Sequence, residues 1–313
     1  MIQKVAFYIE SNRLLQPADT VIVGLSGGAD SVCLAHILIR LGYSVTAAHC
    51  NFSLRGAESD RDEAFVTSLC SGWNITLEKI RFDTNAYASG HKIGTEEAAR
   101  ELRYKWFEEL RVKHNAAAVC VAHHRDDSIE TALLNLIRGA GITGICGIRA
   151  KNGNIVRPLL CVRRKEIEEY LKKEGLQFVT DSTNLESVYN RNKVRNIIIP
   201  GIEKIKPNFA DTMTANMENF SAVASIYNKV IEEQKKKVIT ADGDALYINL
   251  TQVQEFIEPE TLLFELLKPY GVHPREIPKI LTMETGKSII TPSATLTIKR
   301  IKKERCLYVM YDV

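Results

Sequence analysis

The chain has 313 residues, enough for about two domains, and its 45% hydrophobic and 25% charged residues exclude the collagen-like and disordered classes. Its 41 basic and 38 acidic residues leave a formal net charge of +3, which by itself requires no polyanionic partner. No apolar run approaches the ~18 residues that a membrane-spanning helix needs, and the N-terminus lacks a signal-peptide layout, so membrane and secreted classes are disfavoured.

Strand and helix patterns alternate through the first two thirds of the chain. Short β-branched runs predict strands, and longer apolar or amphipathic segments with capping residues or a terminal glycine predict helices. Strands alternating with helices at this spacing indicate a doubly wound, mostly parallel α/β sheet. The predicted strands are 20–25, 44–49, 75–82, 116–122, 154–157 and 177–180, and the predicted helices between them are 29–41, 58–70, 95–113, 126–138 and 163–174.

A second region begins after about residue 205, where Pro200 and Pro207 bracket a change in composition. We therefore predict a doubly wound domain over 1–205, and a helical linker plus a small α/β domain over 206–313. The predicted elements of the second region are a helix at 208–237, a strand at 245–249, helices at 260–267 and 278–283, and strands at 294–300 and 306–311. Its basic residues cluster at 235–237 and 299–305.

The cysteines are scattered, odd in number and without any C-x-x-C pair. This pattern favours reduced, buried thiols in a cytosolic protein, and it disfavours a zinc site or a redox motif. The seven positions are Cys33, Cys50, Cys70, Cys120, Cys146, Cys161 and Cys306.

The strongest motif lies between the first predicted strand and helix. Two glycines allow a sharp turn and close approach to a ligand, and the amides of the turn and of the helix N-terminus form an anion site. No Gly-Lys-Ser/Thr follows, so the motif is not a Walker A loop, and it is not G-x-G-x-x-G. The simpler interpretation is a serine-capped strand–helix turn. The motif consists of Ser26, Gly27, Gly28, Ala29, Asp30 and Ser31, whose serine hydroxyls add donors.

This motif resembles the loop of the PP-loop ATP pyrophosphatases, which cleave ATP between its α and β phosphates. The resemblance implies an adenine nucleotide alpha hydrolase-like fold, with 26–31 holding the pyrophosphate portion of ATP together with Mg²⁺, for which Asp30 is the candidate ligand. The superfamily includes tRNA thiolases, the NAD, GMP and asparagine synthetases, and the tRNA(Ile)-lysidine synthetases, so the loop alone does not identify the substrate.

Two later blocks contain arginines that can meet anions. The block at 49–59 follows the second predicted strand and resembles the H-x-N/G-L-R-x-x-S stretch of the lysidine synthetases, although Ser53 departs from it. The resemblance implies that His49 lies near ATP and that Arg55 binds substrate. Without it, His49 is a strand-end imidazole with its hydrogen bonds satisfied, and Arg55 is a solvated surface residue.

The next block, 96–104, places Arg100 and Arg103 three residues apart on one helix face, an arrangement suited to phosphate. The alternative is a helix on which Glu96 and Glu97 pair with these arginines. The E-x-x-A-R-x-x-R-Y block of the lysidine synthetases resembles this stretch and implies a catalytic role for Arg100 and a substrate contact for Arg103.

The most specific block, 122–131, lies at another strand-to-helix junction. Asp127 and Glu130 are spaced i, i+3, so paired carboxylates can hold an ammonium group and accept its proton. Helix capping and metal binding are the alternatives. The block resembles the H-x-x-D-D-x-x-E-T motif of the lysidine synthetases, in which the Asp and Glu serve the lysine, and it implies substrate contacts for His123 and Asp126.

Further blocks follow in the order found in that family. They are the R-G-x-G-x-x-G loop at 138–144, R-P-L-L at 157–160, D-S-T-N at 181–184, and R-N-x-x-R at 191–195. Arg191 and Arg195 are four residues apart on one helix face and can meet ATP phosphates or the RNA backbone. The resemblance implies a catalytic role for Arg191 and an ATP contact for Arg195.

The resemblance to the lysidine synthetases covers about residues 20–205 and implies a two-step ligase. The wobble cytidine of a tRNA(Ile) with a CAU anticodon is adenylated at O2 by ATP, and free lysine then displaces AMP. The implied partners are ATP, Mg²⁺, lysine and this tRNA, with no membrane, and a homodimer is left open. The second region, 206–313, with its basic clusters at 235–237 and 299–305, is the candidate for binding the tRNA. Three alternatives remain: a tRNA thiolase, which usually needs cysteines in C-x-x-C pairs or Fe–S sites, a small-molecule amide ligase, and a non-catalytic nucleotide-binding module.

Overall fold

A computed structural model describes residues 1–179, 190–242, 245–301 and 304–311. The chain forms two compact units, Met1–Phe220 and Ser221–Val313. The division falls inside a long helix, after the predicted boundary at 205 and 206. Among the described helices, none has both the length and the apolar character required to cross a bilayer.

The first unit contains a six-stranded sheet surrounded by helices. Its strands are β1 Thr20–Gly24, β2 Ser44–Asn51, β3 Thr76–Arg81, β4 Ala118–Cys120, β5 Lys151–Asn152 and β6 Ile155–Val156. Its helices are α1 Ile2–Ser11, α2 Ala29–Arg40, α3 Ala57–Trp73, α4 Thr84–His91, α5 Thr95–Lys113, α6 Arg125–Ile137, α7 Arg164–Glu174, α8 Asn190–Lys193 and α9 Ile199–Ile205, with a 3-10 turn at Pro158–Cys161 and a π-helical turn at Val194–Ile198.

The sheet has the order β3-β2-β1-β4-β6-β5, and all its neighbours are parallel except β5 and β6. Side-chain alternation on β1 explains why helices cover both faces. Val21 and Val23 are buried in the larger core with α1, α2 and α7, whereas Ile22 is buried in a second core beneath α5. A strand buried on both faces reads as a continuous apolar run, which is how the sequence predicted it.

The second unit contains a five-stranded antiparallel sheet of order β7-β8-β11-β10-β9. One face of this sheet is packed against helices around a single apolar core. Its strands are β7 Ile239–Asp242, β8 Ala245–Asn249, β9 Ser288–Ile290, β10 Ala294–Ile301 and β11 Glu304–Tyr311. The long helix α10 spans Phe209–Val238, and the shorter helices are α11 Leu250–Gln254, α12 Pro259–Leu267 and α13 Ile277–Thr282, with 3-10 turns at Lys268–Tyr270 and Pro274–Glu276.

The predicted α/β class and the doubly wound sheet are confirmed, and the bounds of α5 agree with the prediction at both ends. The strand predicted at 177–180 is wrong over its described part, 177–179, which is irregular. Within this part, the Val179 amide donates a hydrogen bond to the Gly27 carbonyl of the loop after β1, at 2.9 Å. Helices α1 and α4 were not predicted from the sequence.

Candidate active site

The loop after β1 needs a glycine at its turn, because any other residue there would be strained. Gly27 has φ +91°, and a Cβ added there would lie 3.3 Å from the side chains of Phe65 and Val66. Gly28 has an ordinary φ of −71° and precedes the first residue of α2. The first-turn amides of α2 have no carbonyl partner within the helix, so they are free to point at an anion.

The two serine hydroxyls of this loop bond the loop itself. Ser31 Oγ donates to the Gly28 carbonyl at 2.9 Å and accepts from the Ser26 amide at 3.2 Å. Ser26 Oγ lies 3.1 Å from Ser31 Oγ and accepts from the Gly28 amide at 3.3 Å. The hydroxyls thus shape the loop and accept hydrogen bonds from the amides of Ser26 and Gly28, and their service as ligand donors stays a prediction.

The sheet order brings this loop to a topological switch point. Chain connections leave β1 toward β2 on one side and reach β4 on the other, and ligands bind where the loops after such neighbouring parallel strands separate. A cavity of about 390 Å³ opens there, which we call the first chamber. Its lining includes Ser26, Gly28, Asp30, Ser31, Ala48, Cys50, Phe52, Arg103, Tyr104, Phe107, His123 and Asp127.

His123 lines the first chamber as a neutral imidazole. Burial, strengthened by the nearby charges of Arg157 and Arg191, lowers the pKa of His123 to about 4. Arg157 Nε donates to His123 Nδ1 at 3.3 Å and is held by a second bond to the Arg149 carbonyl at 2.8 Å. Because Nδ1 accepts, the proton of the neutral ring lies on Nε2, which makes His123 a hydrogen-bond donor.

The predicted arginines of α5 occupy different positions. Arg103 lines the first chamber with its guanidinium 5.1 Å from the centroid of the Phe52 ring. Arg100 is exposed and is not part of the chamber lining, and its guanidinium lies 4.8 Å from the centroid of the Tyr104 ring. Stacking on an aromatic face holds a guanidinium without neutralising its charge, so both arginines keep their charge for an anionic ligand.

A second cavity of about 660 Å³ shares Asp30 and Asp127 with the first, and we call it the second chamber. Five carboxylates and four guanidiniums line it, a net charge of −1. The lining residues are Asp30, His124, Asp126, Asp127, Glu130, Arg163, Arg164, Arg191, Asn192, Arg195, Ile199, Pro200 and Glu203.

The predicted acid pair is bonded to the predicted arginine pair. Arg195 Nε donates to Glu130 at 2.6 Å, Arg191 Nε donates to Glu130 at 2.8 Å, and both guanidiniums reach Asp127 Oδ1 at 3.2 and 3.4 Å. Glu130 is 1% exposed, whereas the arginine side chains are about 40% exposed. The arginines, expected to contact phosphate or RNA, are here the counterions of the carboxylates.

Asp127 also caps the helix on which it lies. Its Oδ2 accepts from the backbone N of His124 at 2.9 Å, and its own amide donates to His124 Nδ1 at 3.4 Å, which together form a capping box at the start of α6. Burial raises the pKa of Asp127, but the charges of His124 and Arg191 outweigh it and lower the pKa overall. Capping and charge pairing therefore both keep this carboxyl ionised.

Asp30 carries the one observation that bears on a metal ion. Its Oδ2 accepts from Arg164 Nη1 at 2.6 Å, while its buried Oδ1 has no hydrogen-bond partner among the described residues. Burial raises the pKa of Asp30, partly offset by the charges of His124 and Arg164. An unpartnered carboxylate oxygen suits Mg²⁺, which takes one or two protein carboxylates and completes its shell with phosphate and water. Within the described ranges no three histidine, cysteine or acidic side chains are arranged so that they could hold a metal ion together, so phosphate and water oxygens would have to complete the shell of an ion at Asp30.

Asp126 has a structural role as well as a place in the second chamber. Its Oδ2 accepts from the backbone N of Arg164 at 2.8 Å, which caps α7, and its Oδ1 accepts from Arg163 Nε at 3.0 Å. Arg163 also lies 3.7 Å from Glu203. Arg163, Arg164 and Glu203 were not predicted from the sequence, because their contacts with Asp30, Asp126 and each other span 37 or more residues.

Five predicted site residues do not line either chamber: Gly27, Ala29, His49, Arg55 and Arg100. His49 is buried, and its Nδ1 donates to the Leu25 carbonyl at 2.9 Å beneath the loop, so the simpler interpretation of this imidazole fits the structure. Burial lowers the pKa of His49 and keeps the ring neutral. Arg55 pairs with Asp62 at 3.0 Å. The predicted D-S-T-N block at 181–184 lies outside the described residues.

Comparison with known proteins bears on both units. The PP-loop domain family matches residues 2–202, and the TilS substrate binding domain family matches residues 241–302. A tRNA(Ile)-lysidine synthase of Bacteroides thetaiotaomicron is 48% identical over 292 residues, which is 92% of this chain and 68% of that protein. One of Parabacteroides distasonis is 49% identical over 290 residues, covering 92% of this chain and 66% of that protein. The chain thus spans about two thirds of the length of these relatives.

Among solved structures, a U34-tRNA thiolase of Methanococcus maripaludis superposes with a TM-score of 0.56 at 18% identity, over 69% of this chain and 77% of that one. At this identity the likeness concerns the fold alone. It does not choose between the activities that the fold supports.

Proposed function

The chain belongs to the tRNA(Ile)-lysidine synthase family, and on that premise we propose that it ligates free lysine to C2 of the wobble cytidine of a tRNA(Ile) with a CAU anticodon. ATP is the activating substrate, and AMP and pyrophosphate are released. The observation that carries the proposal is the shared wall of the two chambers. Asp127 faces both the cavity that contains the glycine loop and the cavity that contains the acid pair.

In the proposed first step, the C2 oxygen of cytidine attacks the α phosphorus of ATP. A C2–O–P linkage forms, the bond between the α phosphorus and the bridging oxygen breaks, and pyrophosphate leaves. The amides at the N-terminus of α2 and the guanidinium of Arg103 stabilise the charge that develops on the phosphates. Mg²⁺, held by Asp30, would neutralise phosphate charge when bound. His123 Nε2–H donates to an acceptor of the nucleotide or the base.

In the proposed second step, the ε-amine of lysine attacks C2, the C2–O bond breaks and AMP leaves. Asp127 and Glu130 each accept three hydrogen bonds in this structure. A carboxylate offers about four acceptor sites, so each retains one for an ammonium N–H. Glu130 is 1% exposed beneath Arg191 and Arg195, so these side chains would have to shift to admit lysine to it. Because the pKa of Asp127 is lowered, we assign it to holding the ammonium and Glu130 to accepting the proton.

The wobble base must leave the anticodon stack to reach the first chamber. Enzymes that act on a base extrude it into a pocket, and unpaired loop bases leave the stack most easily. The aromatic wall of Phe52, Tyr104 and Phe107 offers flat surfaces for a planar ring. Self-association into a homodimer stays a prediction, and light scattering of the purified chain would check it.

The test supplies ATP, radiolabelled lysine and tRNA(Ile) bearing CAU, and measures label in the RNA. We expect incorporation that depends on ATP and is lost when the wobble cytidine is replaced by uridine. Asp127→Asn should abolish lysine transfer and leave ATP binding within a few fold. Asp211→Asn is the matched control, because Asp211 also pairs with an arginine, Arg125 at 3.3 Å, but is 72% exposed. Absence of label with wild-type protein that binds ATP would overturn the proposal.

The same assay separates the alternatives. AMP formation from ATP and a small amine acceptor without any RNA would favour an amide ligase, and ATP binding without AMP in the presence of the tRNA would favour a non-catalytic module. Sulfur transfer to the tRNA would favour a thiolase. Asp127 of the acid pair lines the nucleotide chamber, which disfavours the thiolase and the non-catalytic module because neither requires a bound ammonium there. The amide ligase differs by its independence of RNA.

A further inference from the structure

A buried guanidinium lies directly behind the wall of the first chamber. Arg157 follows β6 and His123 follows β4, its parallel neighbour, so both residues lie at the same edge of the sheet. Arg157 is 6% exposed and is not part of the chamber lining. It contacts the lining from behind, because its Nε donates to His123 Nδ1 at 3.3 Å. His123 therefore stands between Arg157 and a ligand of the chamber.

This guanidinium has only neutral hydrogen-bond acceptors. They are the ring of His123 and the Arg149 carbonyl, which accepts from Arg157 Nη1 at 2.8 Å. Among the residues that the structure describes, no carboxylate forms an ion pair with it. Burial lowers the pKa of Arg157, Tyr104 opposes this, and the charge of Arg100 adds to it. The group stays charged all the same, because arginine does not lose its proton in proteins.

The four arginines of the second chamber are treated differently. Their side chains are between 36% and 40% exposed, yet each of them forms an ion pair with a carboxylate. Arg157 is far more buried and lacks such a partner, although buried charges are normally paired because an uncompensated one is costly. A purely structural role, in which Arg157 fastens the Arg149 carbonyl, needs hydrogen-bond donors but no charge. The charge therefore requires a separate explanation.

The same side of the first chamber carries further positive charge. Arg100 and Arg103 flank Tyr104 on α5, and each guanidinium stacks on an aromatic ring rather than on a carboxylate of the described residues. With Arg157, three guanidiniums thus lie around Tyr104, a lining residue, without an acidic partner. The amide dipoles at the start of α2 add to this potential. An excess of one sign in a cleft attracts a ligand of the opposite sign.

We propose that Arg157 is a positioning residue that holds His123 as an Nε2–H donor toward the bound nucleotide, and that the phosphates of this nucleotide balance its buried charge. Because Arg157 Nε–H occupies Nδ1, the imidazole can present only its Nε2 proton to the chamber while the ring is neutral. The triphosphate then supplies the negative charge that the protein itself does not provide. The inference rests on the proposed function for the identity of the nucleotide as ATP.

The first measurement is the affinity of the full chain for ATP with Mg²⁺, by isothermal titration calorimetry without tRNA or lysine. Arg157→Met removes the charge, and we expect it to weaken binding ~10-fold, the effect of one charge on an anion ~10 Å away at an effective dielectric constant of about 20. Arg157→Lys keeps the charge and should bind within about threefold of the wild type. Arg149→Met removes an exposed charge and is the matched control, expected within about twofold.

A second neutral variant guards against a folding defect in the first. The amide of Arg157→Gln can still donate to the Arg149 carbonyl, and this variant should lose ATP affinity to the same extent as Arg157→Met. Thermal unfolding verifies that each variant is folded. Equal losses in Arg157→Lys and in the neutral variants would assign the effect to shape rather than charge and would overturn the charge balance.

The second measurement reports the tautomer of His123, which a merely structural role of Arg157 would not change. In a chain labelled with ¹⁵N at its histidines, the signal of His123 is identified by its loss in His123→Asn. At pH 7 we expect the proton on Nε2 in the wild type and a mixture of both tautomers in Arg157→Met. Wild-type ATP affinity or an unchanged tautomer in the folded neutral variants would overturn the proposal.

The failure of this inference is distinguishable from the failure of the proposed function, because neither measurement needs tRNA or lysine. If the wild-type chain transfers lysine and Arg157→Met keeps the ATP affinity and the tautomer, the positioning role is wrong and the function stands. If the wild-type chain never transfers lysine but its affinity for ATP depends on the charge of Arg157, the function is wrong and the positioning role stands.

Discussion

The two chambers of the candidate active site are lined by different kinds of chemical group. The first chamber relies on backbone amides, a glycine turn, aromatic walls and a neutral histidine. The second holds five carboxylates against four guanidiniums. A polyphosphate carries its own charge and is held well by amide dipoles, whereas an amine must be bound as a cation and then lose a proton. We therefore expect the two chambers to be sensitive to different mutations. Substitutions that change the backbone should impair the first chamber, and substitutions that remove a charge should impair the second.

The largest effect is expected where a charge is removed from the second chamber. Glu130→Gln leaves Arg191 and Arg195 without their buried partner, so the free energy of unfolding should fall by about 3 kcal/mol, at the low end for a buried pair because both arginines are partly exposed. Lysine transfer should fall by at least ~100-fold, the equivalent of two buried charge contacts. Urea unfolding and the labelled-lysine assay measure the two effects.

Glu168→Gln is the control for this charge deletion. Glu168 pairs with Arg164 at 2.8 Å but is 53% exposed, and an exposed pair contributes less than about 1 kcal/mol. Equal losses in the two variants would contradict the view that the second chamber depends on buried charge.

Part of the pH dependence of stability should come from His123 in the first chamber, beside the contribution of the buried His49, whose pKa is also lowered. The pKa of His123 is about 4 in the folded chain and about 6.5 unfolded. Between these values the unfolded state binds the extra proton, so stability falls as pH drops from 6.5 to 4, by ~2–3 kcal/mol. His123→Asn should remove this loss. Urea unfolding at pH 7, 5.5 and 4 measures it, with His91→Asn, an exposed histidine, expected to follow the wild type.

A backbone change should separate the two glycines of the loop. Gly27→Ala forces a Cβ into a positive φ and against Phe65 and Val66, which should lower the free energy of unfolding by ~1–2 kcal/mol. Gly28→Ala meets nothing nearer than 3.5 Å at an ordinary φ and should change it by less than ~0.5 kcal/mol. Equal destabilisation by the two substitutions, seen in urea titrations, would show that the turn does not depend on Gly27.

The smallest effect concerns two neighbours on β2 that face opposite ways. His49→Leu removes a buried bond to the Leu25 carbonyl and should cost about 1 kcal/mol of stability with no change in the KM for ATP. Cys50→Leu adds bulk to the wall of the first chamber. It should raise the KM for ATP several-fold, because the larger side chain displaces one or two van der Waals contacts of the nucleotide. A raised KM in His49→Leu alone would restore the predicted ATP contact of His49.

How much of the site the sequence predicts depends on how far apart along the chain the two residues of each contact lie. The glycine loop, the acid pair and the spacing of Arg191 and Arg195 are local patterns, and the sequence alone contains all of them. The pairing of those arginines with Glu130 spans 61 and 65 residues, and no spacing within either helix indicates it. The hydrogen bond between Arg157 and His123 is equally hidden, because these residues are 34 positions apart in the chain.

The sequence by itself determined the alternation of elements, the glycine turn and the presence of acids at a helix start, because periodicity and backbone conformation are short-range properties. Only the tertiary structure decided that the serine hydroxyls bond their own loop, that His49 faces away from the nucleotide chamber, and that four arginines neutralise the acids. Those outcomes depend on which strands become neighbours and which face of each strand is buried, and folding settles both by packing residues that are distant in sequence.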